Sequence, residues 1–209
     1  MGLPKIAPYA LPTAGELPVA RAPWKLEPGR AALLIHDMQN YFIDIFTPDV
    51  APIAPAIANI KALAIACRTA GIPVFYTAQD GDQDRRDRGL QADLWGPGMG
   101  WDRQPIVEAL APEPGDIVLV KHRYSAFQRS NLETLMRVRG RDQLIVSGIY
   151  AHIGCTLTAG DAFMRDIEPF MVADALADFS REKHDLALSY VASVCGVPLM
   201  TAQILEAIR

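Results

Sequence analysis

Three cysteines, Cys67, Cys155 and Cys195, are too few and odd in number for a disulfide framework, and none forms a Cys-x-x-Cys pair. A disulfide-stapled fold and a zinc site are both unsupported, and reduced thiols are the ordinary reading. The four histidines, His36, His122, His152 and His184, lack His-x-His or His-Glu-x-x-His spacing, so no metal and no cofactor is expected. No apolar run approaches the roughly 20 residues of a membrane span. Positive charge is not in excess: 20 Lys and Arg against 24 Asp and Glu leave a formal charge of -4, whereas phosphate binding needs a clustered positive field. The opening MGLPKIAPYALPTAGELP has too many prolines and too short an apolar stretch for a secretory leader. These absences lead us to expect a cytoplasmic protein whose partner is a small molecule, with no nucleic acid and no membrane.

What is present is a chain of 209 residues, half of them apolar and about a fifth charged, within the roughly 50 to 250 residues that share one core. We expect a single domain over 1–209. Residues 1–30, proline-rich and without periodicity, read as an irregular arm wrapped over the domain or reaching towards a neighbouring subunit. There is no internal repeat and no low-complexity tract.

Ala31 to His36 is a short apolar run ending in Asp37, the pattern of a buried parallel strand with a polar residue at its carboxyl end. A helix follows over about 54–70, with Ile57, Ile60, Leu63, Ala64 and Cys67 on one face and Gly71 as its stop. Further strands are expected at 72–76, 117–121, 143–147, 170–173 and 197–200, with helices near 131–139, 154–165 and 181–194 and a last helix at the C-terminus. Strands alternating with helices specify an α/β fold: three layers, Rossmann-like, around a six-stranded, mainly parallel sheet. The polar, glycine-rich segment 80–104 around WGPGMGW is too long for a routine connection and is a candidate binding loop.

Ligands of open α/β sheets bind beyond the carboxyl ends of the strands. That rule selects Asp37 after the first strand, Gln79 after the second, Lys121 after the third, and the SGIYAHIGC segment at the end of the fourth. An acid, an amide and a base brought to one rim make a plausible site.

The segments ALLIHDMQNYF, YTAQ, WGPGM, RYSAF, GRDQL, GIYAHIGC, DAFMRDI and VADALADFS, in this order and over nearly the whole chain, resemble the isochorismatase branch of the cysteine-hydrolase superfamily. In that superfamily the usual hydrolases use an Asp, a Lys and a nucleophilic Cys at the start of the helix after the fourth strand, where the helix dipole favours thiolate. Asp37 and Lys121 match the first two. The nucleophile position falls on Gly154, and Cys155 stands one residue late, where a helical step of about 100° turns its side chain away. Cys155 is therefore expected to be a small buried residue. Glycine likewise stands at this position in isochorismatases and aminodeoxyisochorismate hydrolases, so Gly154 implies acid-catalysed opening of a vinyl ether, which needs no side-chain nucleophile.

On this resemblance Asp37 is the acid that protonates the terminal carbon of an enolpyruvyl group. Burial among neighbours such as Ile35 and Phe42 is expected to raise its pKa above the free value of about 3.9. Lys121 is expected to contact a substrate carboxylate, Gln79 and Arg88 to hold polar groups of the substrate, and Trp95 and Phe42 to line the pocket. Tyr150 lies in a turn where the resemblance implies a cis peptide between Ile149 and Tyr150. His122 stands where relatives often have tryptophan, a departure expected to alter pocket shape.

The substrate class implied is chorismate-derived. Isochorismate would give 2,3-dihydro-2,3-dihydroxybenzoate and pyruvate, as in siderophore pathways. The alternative is 2-amino-2-deoxyisochorismate, giving trans-2,3-dihydro-3-hydroxyanthranilate and pyruvate, as in phenazine pathways. The C-terminal aryl carrier domain of many siderophore-pathway relatives is not found before Arg209, which moves weight towards the second. A cysteine amidase using Cys155 and a non-catalytic interaction subunit are the remaining readings, and a homodimer is expected from the resemblance.

Overall fold

The computed structural model describes residues 4–209. Six strands form one sheet: β1 (Ala31–His36), β2 (Val74–Ala78), β3 (Ile117–Val120), β4 (Gln143–Ile149), β5 (Glu168–Ala177) and β6 (Val197–Leu199), in spatial order β3-β2-β1-β4-β5-β6. Every neighbouring pair is parallel, so the expected mainly parallel sheet is wholly parallel. Strand order reverses between β1 and β4, which opens a crevice beyond their carboxyl ends.

β1 is buried at all six residues, as a central strand covered on both faces must be. Alternate side chains enter two cores. Leu33 and Ile35, with Val74, Tyr76 and Ile145, pack against Ile60 and Leu63 of α2 (Ile53–Thr69) and Ile204 of α8 (Thr201–Ile208). Ala32 and Leu34, with Phe75, Leu144 and Val146, meet Leu132 and Met136 of α5 (Leu132–Arg137), Ala159 of α6 (Thr156–Phe163) and Leu188 and Val191 of α7 (Arg181–Val194). The two helical layers are therefore specified by the period-two alternation of the strands. Short helical turns α1 (Asn40–Ile43), α3 (Arg85–Arg88) and α4 (Gln91–Trp95) lie in the connections at the carboxyl rim.

Most expected elements are present with shifted ends. β2 starts at Val74, two residues later than expected, because Pro73 has no N–H to give a ladder; its carbonyl still accepts from Leu33. β4 runs through Gly148 to Ile149. Gly148 has φ of 108°, and a Cβ there would run into the His36 carbonyl oxygen, so glycine lets β4 approach β1 closely. β5 extends to Ala177 past Asp174, whose Oδ1 accepts from Thr201 N at 2.7 Å and Thr201 Oγ1 at 2.8 Å. A charged residue in the middle of this strand thus caps the last helix, which is why the apolar run alone underestimated the strand. Pro198 sits in β6 at the edge, where its missing donor costs nothing.

The expected helix over 154–165 begins as a π-helical turn, Ala151–Cys155, before α6. Asp178, fully buried, holds that turn: its Oδ2 accepts from His152 N at 2.6 Å and its Oδ1 from Phe179 N at 2.7 Å. The peptide between Ile149 and Tyr150 is cis. The arm lies on its own chain. Ile6 bridges to Phe46, Arg21 N donates to Ala192 O, and Tyr9 Oη accepts from Asp178 N at 2.7 Å.

Candidate active site

Asp37 follows β1 in the left-handed region, at φ 53°. Thr77 of β2 fixes it, since its carbonyl and its Oγ1 both accept from Asp37 N, and its hydroxyl donates to Asp37 Oδ1 at 2.7 Å. Gln79, just past β2, donates from Nε2 to Asp37 Oδ2 at 3.3 Å. The Gln79 backbone is clamped in turn by buried Gln39, whose Oε1 accepts from Gln79 N and whose Nε2 donates to Gln79 O, each at 2.8 Å. Lys121 follows β3 directly. Its Nζ stands 2.6 Å from Asp37 Oδ2 and donates to Tyr124 O at 3.1 Å, with the side chain 2% exposed.

One expectation is corrected here. Burial does push the Asp37 carboxyl up, but the Lys121 ammonium and the hydrogen bonds from Lys121 and Thr77 outweigh it, and the net direction is down. Asp37 is a carboxylate in the unliganded protein. Lys121 supplies the charge that sets this direction, through its ion pair with Asp37.

The other expected residues converge on the same place. Arg88, on α3, is buried and donates from Nε to Gly96 O at 2.6 Å. Among the described residues no carboxylate pairs with it, and burial pulls its pKa down. Trp95, at the end of α4, donates from Nε1 to Tyr124 Oη at 2.6 Å. Tyr150 lies against Phe179 at 4.4 Å between ring centres, with Phe42 edge-on at 6.1 Å, and its hydroxyl donates to Phe42 O at 3.1 Å. Asp37, Phe42, Gln79, Arg88, Trp95, Lys121, Tyr150 and Gly154 all line one concave cavity at the carboxyl rim.

Reasoning from the strand ends missed His36, Tyr41, Gln91, Tyr124 and Phe179, which also line the cavity. Tyr124 and Phe179 stand inside the segments RYSAF and VADALADFS, which carry the resemblance but not the side-chain directions. His122, expected to alter the pocket, is not among its lining residues.

Gly154 forms part of the floor, and a Cβ built on it would run into His36 Cε1. That imidazole is fully buried, with Nδ1 2.8 Å from Ile149 O and Nε2 3.2 Å from Tyr124 O. Cys155 turns away from the cavity into the core with Leu34, Ala159 and Leu188. Burial, then the charges of Asp37 and Asp178, push its thiol well up, the reverse of what a nucleophile needs. The arrangement offers a paired acid and base, a buried cation and an aromatic wall, without a side-chain nucleophile on the floor.

The family model of the isochorismatase domain matches residues 31–203. The chain belongs to the isochorismatase family. It is similar to the isochorismatase of Bacillus subtilis (strain 168), 52% identical over 211 residues covering 100% of this chain and 68% of that protein. Phenazine biosynthesis protein PhzD of Pseudomonas fluorescens is 47% identical over 206 residues, covering 97% of this chain and 98% of its own. Among solved structures, a cysteine hydrolase from Pseudomonas syringae pv. phaseolicola 1448A superposes with a TM-score of 0.81 at 27% identity, covering 91% of this chain and 97% of that one. A chain named for cysteine chemistry thus shares this fold.

Proposed function

We propose that this chain hydrolyses the enolpyruvyl vinyl ether of isochorismate to 2,3-dihydro-2,3-dihydroxybenzoate and pyruvate. One observation carries the reading: the cavity holds a buried acid–base pair, Asp37 and Lys121, over a floor at Gly154 that has no room for a nucleophilic side chain. Similarity to the Bacillus subtilis isochorismatase supports the substrate class.

In the mechanism we infer, a substrate carboxylate enters beside Lys121 and draws its charge away from Asp37. Burial then dominates the Asp37 carboxyl, which takes up a proton from solvent. Arg88 pairs with the second carboxylate, giving its buried guanidinium the anion it lacks and fixing the ether. Asp37 protonates the terminal methylene carbon, the C–O π system becomes an oxocarbenium ion, and water adds to it. The proton lost by that water returns to Asp37. Collapse of the hemiketal breaks the bond to the ring oxygen and releases pyruvate and the ring diol. Gln79 and Tyr150 orient the substrate, while Trp95, Phe42 and Phe179 exclude bulk water and strengthen each charge interaction inside.

The second reading is hydrolysis of 2-amino-2-deoxyisochorismate, favoured by the similarity to PhzD over nearly the whole of both chains. The two substrates differ in one ring substituent, so discrimination rests on one or two polar contacts. Incubating the protein with each substrate and following pyruvate through lactate dehydrogenase tests the proposal. The larger kcat/KM names the substrate, and release of pyruvate from neither rejects the reading.

The two cores that share one sheet support treating the chain as one hydrolase domain. We further propose a cytoplasmic homodimer. What supports the pairing is a groove lined by exposed Leu90, Leu94, Leu157, Met164, Leu186 and Tyr190, with Arg85, Arg123 and Asp93 beside them, whose mixed signs suit a self-complementary face. Sedimentation velocity of wild type against Leu94→Asp, which should shift dimer to monomer, tests it.

A further inference from the structure

Gly154 and His36 compete for one volume. A Cβ on residue 154 would collide with His36 Cε1 and lie 2.9 Å from Nε2, both closer than real Cβ contacts come, with Nδ1 tight at 3.1 Å. The ring cannot easily yield. It is fully buried on β1, its Nδ1 is 2.8 Å from Ile149 O on one side and its Nε2 is 3.2 Å from Tyr124 O on the other. Behind it, β4 presses on the His36 backbone at Gly148. Its neighbour in the chain is Asp37, whose Oδ2 lies 3.8 Å from His36 Nδ1. The imidazole therefore occupies the space above the π-helical turn, beside the Asp37–Lys121 pair, that a side chain rising from residue 154 would need.

We propose that His36 is the specificity-determining residue of this cavity: by filling the volume of a residue-154 side chain, it closes the floor to any nucleophile from the protein and leaves the carbon centre formed on the substrate to water. The inference rests on the vinyl-ether reading for its catalytic meaning, but its steric core is independent of the substrate. The ring does two further things. With Ile149 O accepting from Nδ1–H, it positions the Ile149–Tyr150 turn that presents Tyr150 to the cavity. As a neutral ring, it packs the Asp37 side without adding a second cation to the one Lys121 supplies. Glycine at 154 and histidine at 36 are thus one coupled choice, and a thiol at 154 requires a smaller residue at 36.

A double-mutant cycle reads the coupling. Gly154→Ala adds the single atom that collides, and overpacking of this kind lowers Tm by about 5 °C or more in a chain of this length. In the His36→Ala background the same change is expected to lower Tm by less than half as much. A second readout uses thiol chemistry. The three native cysteines are buried, so the folded wild type takes up little iodoacetamide. The His36→Ala/Gly154→Cys protein is expected to take up one further equivalent at the cavity, where Gly154→Cys alone gives an insoluble or unlabelled chain. Equal losses of Tm in both backgrounds, or a Gly154→Cys protein that has wild-type Tm and labels fully, would overturn the proposal. On the wild-type substrate, His36→Ala is expected to lower kcat with KM within about threefold, whereas loss of packing alone would move Tm without that split. Pyruvate release by the wild type is measured in the same preparations. Its absence together with an intact coupling would count against the vinyl-ether reading and leave the steric assignment standing.

Discussion

Lys121 Nζ stands 2.6 Å from Asp37 Oδ2 with both side chains almost wholly buried, and the two meet because β1 and β3 end on one rim with β2 between them. Two charges taken out of water are compensated only by each other and by the surrounding donors. Removing Lys121 alone leaves an uncompensated carboxylate. Lys121→Met is therefore expected to cost about 3 to 5 kcal/mol in urea denaturation, and the double variant Asp37→Asn/Lys121→Met to cost less than Lys121→Met by itself.

Acid sensitivity follows from the two buried histidines. Burial is the main cause that lowers both His36 and His184 to about 4, so each binds a proton in the unfolded chain, near pH 6.5, well before it does so in the folded one. A folded pKa below the unfolded value means stability that is complete above pH 6.5 and lost as pH falls towards 4, on the order of 3 kcal/mol for each residue. Asp37, also lowered, adds a further loss below about pH 4. Urea midpoints measured from pH 7 to 4.5 should fall steadily, and His184→Gln should flatten about half of the slope. A midpoint constant down to pH 5 would contradict the burial assigned to these rings.

Arg88 pays its desolvation without a carboxylate partner in the unliganded chain. Arg88→Met should therefore be at least as stable as wild type by thermal melting. The same change should raise KM by about 10- to 100-fold, the worth of a charged hydrogen bond to a substrate carboxylate. Lower stability with an unchanged KM would make Arg88 a structural residue.

Water labelled with ¹⁸O reports which carbon is attacked. With pyruvate trapped at once as lactate, the label is expected in the C2 oxygen of lactate and not in the ring diol, because water adds to the oxocarbenium carbon. Label in the diol would mean substitution at the ring and would remove the role given to Asp37.

Much of this was legible in the sequence where one-dimensional rules apply. The apolar run before Asp37, the helix stop at Gly71 and the alternation of strands and helices gave the architecture, because burial on both faces of a parallel strand leaves an uninterrupted apolar stretch. Asp37, Gln79 and Lys121 were found because carboxyl ends of strands face the crevice. The ion pair between Asp37 and Lys121 was not legible, since it is a distance between side chains from strands separated by a third. The sign of the Asp37 shift was lost with it. The packing role of His36 was not legible, because its steric relation to Gly154 depends on how closely β4 approaches β1. Tyr124 and Phe179 escaped because their loops point inward for reasons set by Trp95 and Asp178, not by local spacing.

The most direct test of the account is the rate of pyruvate release by Asp37→Asn beside that of wild type, on whichever substrate wild type prefers, with substrate affinity measured by calorimetry. Asparagine keeps the shape and removes the transferable proton, so kcat is expected to fall by about 10²- to 10⁴-fold while the dissociation constant stays within a few-fold of wild type. An Asp37→Asn protein that turns over at nearly the wild-type rate would contradict the assignment of Asp37 as the acid.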